Sequence, residues 1–119
     1  MTLVTLYRRV LEKLGVVAAG ESAAPEDTQL IAAKYVSVWN QLKTHGLVSW
    51  AVAEPVPDEA AESIVKMVAY ASCNEFDEDP QDYAAEGLIG APQPSVAERE
   101  LRQLHTRAYV SVPAHIEYF

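Results

Sequence analysis

Residues 46–65 read GLVSWAVAEPVPDEAAESIV, and this stretch decides between an all-helical chain and a mixed one. Gly46 suits the left-handed position that follows a helix. Beyond it, Leu47 and Ser49 alternate with Val48, Trp50 and Val52, which is the period of a short strand. Pro55 and Pro57 then interrupt any ladder, because proline has no N–H to donate. Pro57 also opens a helix, with Asp58 and Glu59 beside the positive end of its dipole. The spacing predicts a short extended connector between two helices. Its apolar strip has two readings: a connector whose Trp50 plugs the core of its own chain, or an edge that meets a neighbouring subunit.

Working outward, helical periodicity dominates. Leu3, Leu6, Tyr7, Val10, Leu11 and Leu14 recur at steps of three and four, and Gly15 closes that helix. Pro25 opens a second helix with Glu26 and Asp27 in its first turn, and Ile31, Tyr35, Val38 and Leu42 form its buried stripe with Trp39 alongside. The third helix presents Ala61, Ile64, Val65 and Val68 inward and runs to about Asn74. The segment EFDEDPQD follows, in which Pro80 breaks the helix or starts a short turn. Ser95 and Glu98 form a capping box ahead of a fourth long helix carrying Ala97, Leu101, Leu104 and Ala108. The expected fold is all-α: a small four-helix bundle over residues 1–108, with a short extended connector and an extended C-terminal arm at 109–119. No internal repeat or low-complexity segment is present.

A chain of 119 residues holds one domain. Half of it is apolar and 22% is charged, so it is globular in composition. The lone Cys73 excludes a disulfide framework and reads as a small buried hydrophobe. Arg8, Arg9, Glu12 and Lys13 interrupt the N-terminal apolar pattern, so no signal peptide is expected there. No run approaches the ~20 apolar residues of a membrane span.

The net charge of −8 is unevenly placed. Residues 54–86 carry ten acids against Lys66 alone, whereas 1–14 carry Arg8, Arg9 and Lys13 against Glu12. An acidic chain repels phosphate backbones, so sequence-specific nucleic-acid binding is not expected. The acids read either as a solvated face or as a surface beside which DNA slides without sticking.

Catalytic patterns are missing. His45, His105 and His115 have no partner at metal-ligand spacing. Counted from Asp77 as a calcium loop, position 6 is Asp82 and position 12 is Leu88, where an EF-hand needs Gly and Glu. The acids show no cleft of the kind glycoside hydrolysis needs. No phosphate-cradling glycine loop or nucleophile motif occurs. Neither an enzyme nor a cofactor or metal site is expected.

The order of the parts resembles a known family. A short helix ends in LEKLGVVAAGE; a helix opened by Pro, Glu and Asp carries Trp39 and ends in LKTHGLVSW; VPDEAAESIVKMVAYASCNEFD then begins a long helix. This is similar to the head-to-tail adaptor (connector, or tail accessory) proteins of tailed bacteriophages, also found in gene transfer agents. The likeness covers residues 1–108 and rests on order and composition. It implies a helical virion structural protein of the neck, made in the host cytoplasm. About a dozen copies would form a closed ring below the portal protein. The ring would extend the channel for double-stranded DNA, help retain the packaged genome and offer a platform to the downstream tail protein. The chain lacks the long insertion that longer members carry between the second and third helices, so no role of that insertion transfers.

Under this resemblance the C-terminal arm docks on the portal or on a sibling subunit. Val110, Val112, Pro113, Ile116, Tyr118 and Phe119 carry that contact, and folding back on the chain's own helices is the alternative. Arg8, Arg9, Trp50 and Arg107 are the expected subunit-interface residues. Glu75, Asp77, Glu78, Asp79 and Asp82 are the expected lumen-facing acids. The competing reading is a monomeric or dimeric helical interaction domain of a bacterial cytosol, with a small hydrolase third.

Overall fold

A computed structural model describes the backbone of residues 1–111 and the side chains of residues 1–106. The chain is all-helical, as the periodicity requires. Its elements are α1 (Leu3–Lys13), α2 (Pro25–Thr44), α3 (Asp58–Ser72), a 3₁₀ turn (Cys73–Phe76), α4 (Gln81–Gly87) and α5 (Val96–Ser111). Among the described residues there is no strand.

The first two helices end alike. Gly15 (φ +76°) and Gly46 (φ +70°) occupy the left-handed position. In α1 the Val16 and Gly15 N–H groups donate to the carbonyls of Leu11 and Glu12. In α2 the Leu47 and Gly46 N–H groups donate to those of Leu42 and Lys43. This paired closure satisfies carbonyls a helix end would otherwise strand, and it turns Leu47 inward beside Leu42.

Helix α3 is the axis of the molecule and packs against α1, α2, α4 and α5. It buries Ala60, Ala61, Ser63, Ile64, Val65, Met67, Val68, Ala69 and Ser72, far more than one stripe. A helix apolar on most sides has to be wrapped. Leu6, Val10 and Leu11 of α1, Ile31, Tyr35, Val38 and Leu42 of α2, and Ala97 and Leu101 of α5 supply the wrapping. Gly87 lets α4 close on α3, because a side-chain carbon there would collide with the Lys66 carbonyl oxygen.

Three local expectations are corrected. The 47–53 segment is not a strand. It makes a turn in which the Glu54 N–H donates to the Ala51 carbonyl at 3.0 Å and the Ala51 N–H to the Glu54 carboxylate at 2.8 Å. With no neighbouring strand among the described residues, alternation alone cannot build a ladder. Second, the fourth long helix runs to Ser111, so the backbone of 109–111, expected to be extended, is helical. Adding residues to an established helix is easier than nucleating one, and this outweighs the β-branched composition there. Third, only half of the capping box forms. The Ser95 hydroxyl accepts from the Glu98 N–H at 3.2 Å. The Glu98 carboxylate, however, accepts from the Gly90 N–H at 2.9 Å instead of reaching back to Ser95.

Candidate functional site

The connector is held by its two tryptophan-linked contacts. The Trp39 indole N–H donates to the Trp50 carbonyl at 3.1 Å, and the Trp50 indole N–H donates to the Tyr35 hydroxyl at 3.0 Å. Tyr35 is buried, which pushes its hydroxyl pKa up, while the Trp50 hydrogen bond pulls the other way. Trp50, expected at a subunit interface, thus bridges to α2 of its own chain and is half-buried against the core. Further along, Met1 and Val56 exchange two hydrogen bonds of 2.9 and 2.8 Å. The Met1 ammonium also pairs with Asp58 at 2.8 Å, and this hydrogen bond and charge hold the Asp58 carboxyl below its usual range.

Beside this connector lies an open groove of ≈ 290 Å³. Leu47, Trp50, Pro57 and Ala60 form one wall, and Leu101 and Leu104 of α5 form the other. Ser49, Glu59 and His105 stand among them as the polar groups. Among the larger apolar residues, Val4, Leu30 and Val36 project into solvent from α1 and α2.

Arg8 and Arg9, expected at a subunit interface, are engaged within the chain, as is the nearby Lys13. Arg8 pairs with Glu12 at 3.7 Å, Arg9 with Glu62, and Lys13 with Glu86 at 2.9 Å. Arg107 lies on α5 beyond the described side chains. Val110 belongs to the helical backbone of α5, while Val112, Pro113, Ile116, Tyr118 and Phe119 lie outside the described residues.

The five acids expected to line a channel cluster where the 3₁₀ turn meets α4, but they are not equivalent. Glu75 pairs with Lys34 at 3.1 Å. Glu78 accepts from the Tyr83 hydroxyl at 3.1 Å, and Asp79 accepts from the Gln81 N–H at 3.0 Å. Asp77 takes the left-handed backbone (φ 57°) that ends the 3₁₀ turn, a conformation Asp tolerates better than most residues. Asp77 and Asp82 are exposed and form no ion pair among the described residues. Cys73 lies beneath this loop, fully buried. Burial, and then the charges of Glu78, Asp79 and Asp82, push its thiol pKa up.

Among the described residues no group of three His, Cys, Asp or Glu side chains is placed to hold a metal ion. The described side chains leave no buried N or O atom without a hydrogen bond. His45 ends α2 and His105 is exposed at the groove. Also among the described residues, no helix is long and apolar enough to cross a membrane.

A buried, well-connected polar residue is one the sequence marked only as a cap. Glu98 is 4% exposed, yet its carboxylate is tied to the Gly90 N–H and to Arg102 at 3.0 Å. Burial pushes its pKa up, but the Gly90 hydrogen bond, the Arg102 hydrogen bond and charge, and the nearby His45 outweigh that and leave it below the usual value. The E-x-x-x-R spacing of Glu98 and Arg102 was legible as a helical pair; the long reach of Glu98 to Gly90 had no sequence signal.

Compared with known proteins, the chain matches no family model, no curated protein and no solved structure.

Proposed function

We propose that the chain is a head-to-tail adaptor of a tailed bacteriophage, a non-catalytic ring subunit that sits below the portal. The observation that carries this reading is the order of parts. A short helix closed at Gly15, a Pro25-opened helix with Trp39, a tight link and a long central helix are followed by α5, which leads into the apolar residues 112–119. In this reading α3, wrapped on its sides by the other helices, makes the subunit a stiff wedge. Identical wedges close a ring through heterologous contacts.

The internal pairing of Arg8, Arg9 and Lys13 favours apolar contacts over ion pairs as the source of ring cohesion, since exposed pairs contribute only about 0–1 kcal/mol each. Val4, Leu30 and Val36 are the exposed apolar residues on α1 and α2 that such contacts would use. Glu75, Asp77, Glu78, Asp79 and Asp82 would face the lumen and let DNA pass without binding it. Residues 112–119 would reach the portal or a sibling, and the downstream tail protein would bind the opposite rim.

The test is sedimentation of the chain with a purified portal ring. Co-sedimentation that is lost when Ile116, Tyr118 and Phe119 are each replaced by Asp supports the reading. A chain that stays at its free position beside the portal, or binds equally well with the substituted tail, refutes it.

A further inference from the structure

We propose that, in the free subunit, the groove between the connector and α5 seats the chain's own residues 112–119. The adaptor reading asks where the tail goes on assembly; this inference concerns where it is held before that, and it does not rest on that reading.

The groove and the tail belong to the same stretch of chain. Leu101 and Leu104 form one wall, and α5 continues to Ser111. Leu104 is seven residues before the end of that helix, about 10 Å at the helical rise. Eight residues follow Ser111, and fully extended they span about 26 Å. A chain of that length can reverse after α5 and still reach both leucines.

The chemistry also matches. The groove is apolar between Leu47, Trp50, Ala60, Leu101 and Leu104, and its volume of ≈ 290 Å³ is at the small end of ligand sites, about 300–1,000 Å³. It fits a few side chains of a peptide better than a cofactor. Residues 112–119, VPAHIEYF, supply Ile116 and Tyr118, which fall on one side of an extended segment. His115 and Glu117 complement Glu59 and His105 at the groove edge.

The choice of the chain's own tail over that of a second copy follows from concentration. A short tether presents its segment at millimolar effective concentration. The seated tail would keep Trp50 and Leu104 covered in the free subunit, and any partner that takes the tail must first draw it out.

The full-length chain tests this. A nitroxide is attached at Ala114→Cys, with the native buried Cys73 left in place, and amide signals are read in 15N-labelled protein. The amides of Ser49, Ala60 and Leu101 should lose most of their intensity. The signals should recover when Ile116 and Tyr118 are both replaced by Glu, and also with Leu104→Glu. They should be unaffected when the nitroxide is carried only by unlabelled copies mixed with 15N-labelled ones. Intensity loss in the mixed sample would assign the groove to a second copy's tail. No loss in any sample, or loss that persists in the Glu variants, would mean that the groove does not hold the tail. Each of these results overturns the proposal, whatever the portal sedimentation shows.

Discussion

The Trp50 indole N–H and the Tyr35 hydroxyl, 15 positions apart, meet at 3.0 Å and fasten the connector to α2. Tyr35→Phe removes the acceptor and leaves the indole donor without a partner. The expected loss is about 1 kcal/mol of stability, read from the midpoint of urea unfolding at unchanged slope. An unchanged midpoint would mean that the bond contributes nothing to holding the connector.

Glu98 makes the acid limb of stability specific. Its carboxyl lies below the ordinary value of 4.5 in the folded chain, so folding is favoured by its ionised form. That contribution is fully present above the unfolded-state value and is lost as pH falls through the depressed folded value. Glu98→Gln should therefore lower stability at pH 7 and flatten the decline in thermal midpoint below about pH 4.5. A variant whose acid decline matches that of the parent chain would assign the limb to other carboxylates.

Gly87 packs against the α3 backbone where a methyl group would meet the Lys66 carbonyl oxygen. Gly87→Ala should lower stability by about 1–3 kcal/mol, as overpacking does, although Ala is the better helix former. Thermal unfolding followed by circular dichroism checks the sign: a stabilised variant would show that α4 does not sit against α3 in this way.

Cys73 is buried, its thiol donates to the Ala69 carbonyl at 3.3 Å, and its pKa is raised. Native chain at pH 8 should react with a thiol reagent only at the rate of unfolding, and denatured chain should react at once. Fast reaction in native conditions would contradict the burial.

How much of this was legible in the sequence depended on whether a signal was local. The inward stripe of α2, Ile31, Tyr35, Val38 and Leu42, follows from spacing alone, because 3.6-residue periodicity is a direct consequence of one buried face. The helix ends at Gly15 and Gly46 were equally readable, since left-handed backbone favours glycine. Residues 47–53 misled because alternation looks the same whether the partner is a strand or a turn and two tryptophans. Glu98 misled because its spacing to Ser95 fits a capping box, while the loop that carries Gly90 to it is placed by tertiary packing. The groove was unreadable for the same reason: Leu47, Ala60 and Leu101 come from three separate parts of the chain.

The central claim is that this chain works as a ring subunit whose C-terminal residues find their partner in another protein. Cryo-microscopy of the chain bound to a portal ring tests it most directly. The adaptor reading predicts a closed ring of copies below the portal, with Ile116, Tyr118 and Phe119 of each copy buried against the portal or a sibling. Portal particles without added density, or a bound ring in which those three side chains remain in their own subunit's groove, would contradict it.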